Sequence, residues 1–396
     1  MVTNYLKFTH LATVWLIIFA CVAINLPTAF MSVANSLIIA FWIISGNYRS
    51  KINIIKQNPG AISALALLLI YIVGVFYSNA TLEESIRSLL KYQKLILIPL
   101  TISTLTEEKF QKYALNGFLI STLIVLAISY LKWLGLYPHT DTGQGYSVFK
   151  GRIAGSIIMS FGMYLMMLKA SNTLGIKKYF WVALSVLAAI NISLLVNGRT
   201  GQLLMLALIA WFTIEIWSWK SVRYCVGILI LGVVIHQSSL LLPQSRFTNI
   251  TQEIENHKND QHTSAGLRIE YYTNTLTLIK SHPIFGGGTG SFEHEYTILA
   301  EQLNLQEKNI RNPHNQFLLT TQELGITGLL FLIYFWLIHW KTSYRLTSSP
   351  QCALRGLIVT IFIGSFFNSL LFDASEGKFY CILAGVLLST YKNPIS

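Results

Sequence analysis

The chain has 396 residues, of which 53% are hydrophobic and only 12% charged. A soluble domain carries about 25% charged residues, so long apolar runs at this low charge exclude an ordinary soluble fold and indicate a polytopic membrane protein. The net charge of +12 would suggest nucleic acid in a soluble chain. Here basic cytoplasmic loops account for much of it, and no nucleic-acid partner is expected. Cys21, Cys225, Cys352 and Cys381 all fall in apolar runs without metal-ligand spacing, so no disulfide framework or metal site is expected.

A span needs roughly 20 mostly apolar residues. Residues 11–30 and 30–46 are uncharged and form a pair hinged near Pro27. No small-residue cleavage pattern accompanies the first run, so it reads as a retained span rather than a signal peptide. Arg49, Lys51 and Lys56 mark a cytoplasmic loop. A third span covers 60–78. Residues 79–94 are amphipathic, with Leu82, Ile86, Leu89 and Leu90 at helical spacing, and are expected along the outer interface before a fourth span at 88–105, into which Lys91 and Lys94 intrude.

Further spans follow at 114–131, 153–168, 179–197, 202–219 and 224–242, and then at 324–340, 356–372 and 379–391. Between them lie an outer loop, 132–152, with His139, Asp141, Lys150 and Arg152, and a short outer turn, Gly198-Arg199-Thr200-Gly201. Lys341, Arg345 and Arg355 mark the cytoplasm again. Glu215, the acid well inside a span, reads as a structural hydrogen-bonding residue. The expectation is an all-α polytopic membrane protein of about twelve transmembrane helices with both termini cytoplasmic. Nine helices fall in 1–242, a large, partly helical outer loop carrying catalytic residues in 243–323, and three helices in 324–396.

The loop and the short turns hold the candidate chemistry. Arg152 and Arg199 abut spans, where a charge facing the bundle is a functional candidate. Residues 264–280 read as a helix with Leu267, Tyr271 and Leu278 on one face and Arg268, Tyr272 and Thr275 on a neighbouring one. Arg268 falls in its first turn, where the helix dipole opposes a cation, so it reads as placed for an anionic ligand. The glycines of Gly286-Gly287-Gly288-Thr289-Gly290 permit close backbone approach, either as an anion nest or as a flexible turn. Without a βαβ pattern they do not indicate a dinucleotide site. In Arg311-Asn312-Pro313-His314-Asn315-Gln316, proline fixes the backbone before a helix and puts His314 near its N-terminus. A neutral imidazole there can take a proton from a hydroxyl. His10, His139, His236, His257, His262, His282, His294 and His339 read as structural or surface residues.

Arg199-Thr200-Gly201-Gln202-Leu203 reads as R-x3-L. His314-Asn315, nine further residues and then Gly325-Ile326-Thr327-Gly328 read as H-[NSQ]-x9-G-x-x-G. With the glycine turn after Pro283, this pattern resembles the O-antigen ligase family of the bacterial inner membrane, within the ligase/polymerase superfamily. The resemblance implies a GT-C-like fold whose large loop is periplasmic. It also implies metal-independent, inverting glycosyl transfer, without a cofactor, from undecaprenyl diphosphate to the lipid A–core oligosaccharide within membrane lipids. On this reading His314 is the general base. Arg199 and Arg268 hold the diphosphate, with Arg152 and Arg311 as further candidates. Arginine suits that task because it binds phosphate bidentately and stays charged. An O-antigen or capsule polymerase would use the same donor but tends to carry two sizeable loops; a relative glycosylating Ser or Thr is a further variant. A lipid-linked oligosaccharide flippase is the alternative of another class, but neither internal repeats nor helices broken near the midplane are evident.

Overall fold

A computed structural model of the protein describes residues 2–138, 144–217 and 264–391. The span expected at 224–242, the first part of the long loop, and His139, Asp141, Cys225, His236, His257 and His262 lie outside them. All regular structure among the described residues is helical.

Pro27 separates α1 (Val2–Ala23) from α2 (Thr28–Ile44), as its fixed φ and missing N–H allow at a helix start. Gly46 and Asn47, both with positive φ, turn the chain by 118° into α3 (Tyr48–Gln57). The basic segment expected as a cytoplasmic loop is therefore a helix. Its Lys51 is buried and donates to Trp42 O and Ser45 Oγ at 2.8 and 2.6 Å. Next come α4 (Pro59–Val75), with Pro at its first position, and α5 (Leu82–Tyr92), opened by a Thr81/Glu84 capping box.

The continuous fourth span expected at 88–105 is not formed. The chain passes through a 3-10 turn, Gln93–Ile96, into the short α6 (Leu97–Thr104). Lys94 sits in that turn, buried, and donates to Phe372 O and Asp373 O at 3.1 and 2.5 Å. A buried ammonium needs such acceptors, and the break brings them within reach.

The remaining helices are α7 (Glu108–Trp133), α8 (Arg152–Ser171), α9 (Ile176–Ile190) with a π-helical turn (Asn191–Val196), and α10 (Arg199–Trp217). Beyond residue 263 come α11 (Ser264–Ser281), α12 (Ser291–Gln302), α13 (Gln316–Ser343), α14 (Ser348–Gly364) and α15 (Ala374–Leu388). Among the described residues six helices are long and apolar enough to cross a membrane, or seven if α2 and α3 cross as one bent span. They correspond to seven of the twelve expected segments. α4, α14 and α15 are shorter, at 17, 17 and 15 residues.

Polarity is distributed as a bilayer demands. Leu82, Ile86 and Leu90 of α5 are exposed, while Ser85, Ser88 and Tyr92 of the same helix are buried. Small polar residues join helices inside, as in membrane bundles generally. Asn25 donates to Ser121 and Thr122 at 2.9 and 3.0 Å, and Tyr71 pairs with Thr320 at 2.9 Å. His339 lies between Tyr380 Oη (2.7 Å) and Gly60 O (3.2 Å). Arg355, expected in a cytoplasmic loop, belongs to α14 and pairs with Glu215 of α10 at 2.6 Å, the two side chains only 9% and 7% exposed.

The polar loop is docked along the bundle. α13 breaks at Gly325 (φ 64°, ψ −165°), and that residue packs on the backbone of Ile284 and Phe285. The opened turn accepts N–H groups across the seam. Gly287 N donates to Gln322 O (2.9 Å), Gly288 N to Glu323 O (2.7 Å) and Gly290 N to the Glu323 carboxylate (2.9 Å); Thr289 N reaches Gly74 O (3.0 Å). In return Ile326 N donates to Pro283 O at 2.9 Å. An anion nest is thereby excluded, because the N–H groups it would use are already donated within the protein. The expected boundary at 323/324 falls next to this break, inside α13.

Candidate functional site

The site is built from the starts of four helices. α13 begins with Asn315, whose side chain accepts from Phe317 N (2.9 Å) and Leu318 N (3.1 Å), an N-cap that the Asn-Gln order favours. His314, just before the cap, has φ 54°. A non-glycine residue there is strained by about 1 kcal/mol or more, and surrounding bonds hold it. Its N–H donates to Asn312 Oδ1 at 2.9 Å, and its carbonyl accepts from Tyr272 Oη at 3.2 Å. The Tyr271 ring lies 6.1 Å from the imidazole at an interplanar angle of 30°, and its hydroxyl donates to the Glu307 carboxylate. Partial burial, reinforced by the Arg268 charge and opposed by Glu307, lowers the His314 pKa below its ordinary value. The ring is thus held neutral and able to accept a proton.

Arg268 is the fifth residue of α11, beside Tyr272. Burial lowers its pKa, Tyr272 opposes the shift and the Arg199 charge adds to it. Arg199, Arg268 and His314 therefore form one electrostatic neighbourhood, although they come from three separate parts of the chain. Arg199 opens α10, and Arg152 opens α8. The two helix starts adjoin, since Gly198 sits against Arg152 O and Ser156. The π-helical turn before Arg199 unwinds the chain. Its carbonyls are met by Tyr146 N on Leu195 O (3.0 Å) and Gln202 Nε2 on Ser193 O (2.9 Å). Cations gathered at helix N-termini repel one another and oppose the dipoles, and an anion among them relieves both.

The segment 365–373 joins these parts, and the sequence reading placed most of it in a span. Asn368 Nδ2 donates to Thr200 Oγ1 at 3.1 Å, beside Arg199. Ser365 O accepts from Gln316 N (2.9 Å), and Phe366 O from Tyr272 Oη (2.9 Å) and Asn315 Nδ2 (3.1 Å). Gln316 Oε1 accepts from Leu371 N and Phe372 N at 2.9 and 3.0 Å. Asn368 and Glu307 are residues the sequence reading did not single out, while Tyr272 and Gln316 were named there without these partners. The available signal was an amide or carboxamide inside an otherwise apolar run, as at Asn368.

Arg311 is placed differently from the other arginines. It is exposed and lines a cleft of about 410 Å³ with Lys91, Lys94, Asn312, Phe372 and Lys378. Lys91 lies 3.7 Å over the Phe372 ring. The lysines that interrupted the expected fourth span are thus cleft residues. Among the described residues no group of three or more His, Cys, Asp or Glu side chains is placed to hold a metal ion.

Residues 183–333 match the family model described as O-antigen ligase. The matched region includes Arg199, Arg268, Arg311 and His314; Arg152 precedes it. A Haemophilus influenzae protein described as uncharacterized is 24% identical over 184 residues, covering 43% of this chain and 46% of that protein. The chain therefore spans about half the length of the curated relative it matches.

Proposed function

This chain belongs to the O-antigen ligase family, and on that premise we propose that it is a glycosyltransferase of the bacterial inner membrane, with its site on the periplasmic side. It moves a glycan from undecaprenyl diphosphate to a hydroxyl of the lipid A–core oligosaccharide. The observation that supports this best is the joining of a neutral imidazole, His314, to Arg268 and Arg199 in one electrostatic neighbourhood. A base that must be neutral sits beside cations that never deprotonate.

In the reaction the acceptor oxygen attacks the anomeric carbon as the bond from that carbon to the diphosphate oxygen breaks. His314 takes the hydroxyl proton. The diphosphate leaves with the bonding electrons, and Arg199 and Arg268 stabilise its growing charge, with Arg152 at the adjoining helix start. A single displacement inverts the anomeric centre.

In a purified two-substrate assay, His314→Ala abolishes transfer and leaves the protein folded; normal turnover would remove His314 as the base. Arg199→Ala and Arg199→Lys both weaken donor use, because Lys cannot reproduce the bidentate contact. Wild-type donor affinity in Arg199→Lys would end the diphosphate assignment. Transfer persists in excess EDTA. Glycan lengthened on the polyprenyl carrier, rather than placed on lipid A–core, would make the protein a polymerase.

A further inference from the structure

The cleft around Arg311 has none of Arg199, Arg268 and His314 among its lining residues. It is reached through Asn312, whose Oδ1 holds the His314 N–H. Lys91, Lys94, Arg311 and Lys378 line it, with Asp373 as the one carboxylate among its lining residues. Lys94 is occupied by the carbonyls of Phe372 and Asp373, and Lys378 donates to Ser32 Oγ at 2.7 Å. Among the described residues no carboxylate lies within ion-pair distance of Lys91, Arg311 or Lys378. A narrower recess beside it, bordered by Arg87, Glu293 and Glu323, shares Lys91 and Arg311; its mixed charges leave the excess of cations in the larger cleft.

The cleft borders an apolar surface. Leu90 lines it and is 54% exposed, continuing the outward row Leu82 and Ile86. Ser32, the partner of Lys378, stands between Phe30 and Val33, which are 50% and 59% exposed. A free anion has no use for such flanks, whereas a lipid can lay its chains there while its headgroup enters the cleft. The volume of about 410 Å³ suits a phosphorylated sugar headgroup, within the usual range of small-molecule sites. Two anionic lipids that react together also need separate cation sets, since sharing one would bring like charges together.

We propose that this cleft is the acceptor subsite, and that Lys91, Arg311 and Lys378 bind a phosphate group carried by the lipid whose hydroxyl is glycosylated. The assignment rests on the transfer reading above and adds to it the place and chemistry of the second substrate.

The test uses the full-length protein and the variants Lys91→Gln/Lys378→Gln and Arg311→Gln, checked for unchanged thermal unfolding. In the two-substrate assay each variant raises the acceptor KM, the double one about tenfold, as loss of charge-assisted bonds requires, while the donor KM stays as in the wild type. In phosphatidylcholine nanodiscs doped with phosphatidic acid, a phosphomonoester lipid, native mass spectrometry finds phosphatidic acid retained by the wild type and lost from the double variant. Inorganic phosphate does not displace it. An unchanged acceptor KM, a raised donor KM in its place, equal lipid retention by the variant, or displacement by inorganic phosphate would each overturn the assignment. Lipid retention needs no turnover, so a wild type that retains the lipid but transfers nothing would overturn the transfer reading and leave the anionic-lipid cleft standing.

Discussion

His314 combines a strained backbone with a depressed basicity, and both come from its neighbours. The left-handed conformation is held by Asn312 on one side and Tyr272 on the other. Its pKa is lowered first by burial and then by Arg268, with Glu307 acting in the opposite sense. The active form of a general base is the neutral one, present above the folded-state pKa and lost as pH falls through it. The acid limb of kcat/KM is therefore expected below 6.5, the ordinary histidine value. Glu307→Gln removes the charge that opposes the shift, so it moves the limb further down while a glutamine oxygen still accepts from Tyr271. A pH–rate profile checks both statements, and a limb at or above 6.5 in the wild type would count against His314 as the base. The sequence singles out the histidine after Pro313 as the candidate base. The identity of the groups tuning it was not legible there, because Glu307 and Tyr271 are ordinary loop residues until folding sets them beside the ring.

At the scale of elements, the break in α13 ties the loop to the bundle. Gly325 and Gly135 both have positive φ, at 64° and 73°, so alanine strains either by about 1 kcal/mol or more. They differ in surroundings. A Cβ at Gly135 meets nothing within 4 Å, whereas at Gly325 it collides with the backbone of Ile284 and Phe285. Gly135→Ala is expected to lower stability only slightly. Gly325→Ala adds displacement of the seam and lowers stability by several kcal/mol, with loss of transfer, as read by thermal unfolding in detergent and by the two-substrate assay. Equal effects at the two positions would show that the seam does not carry the site. The second motif was thus readable as a pattern, but its glycine serves close packing. Periodicity in the sequence also located α5 and α11, and Pro313 marked the start of α13. The sequence could not foresee the breaks at Lys94 and Gly325, since each depends on partners far along the chain.

At the scale of the molecule, the buried pair Glu215–Arg355 lies between α10 and α14, with Arg355 Nε also donating to Ser343 Oγ at 3.0 Å. Removing one partner of a buried pair leaves an uncompensated charge, at about 3–5 kcal/mol. Glu215→Ala is therefore expected to destabilise strongly, whereas Glu215→Leu with Arg355→Met returns most of the stability and keeps transfer. A stable double variant without transfer would instead place the pair on a proton path.

Composition and periodicity determined that this is a helical membrane protein, because burial in a bilayer requires apolar runs and internally satisfied backbones, and both are local properties. Local chemistry likewise marked His314, Arg152, Arg199, Arg268 and Arg311 as unusual. Tertiary structure decided which of them share a neighbourhood. Arg268 and Arg311 look alike in sequence, yet Arg268 acts on His314 while Arg311 joins Lys91 and Lys378. Segment 365–373 touches both neighbourhoods, through Asn368 on Thr200 and through the Phe372 and Asp373 carbonyls on Lys94. Such long-range contacts leave no periodic trace, and only the folded chain decides which cations act on His314 and which line the cleft at Asn312.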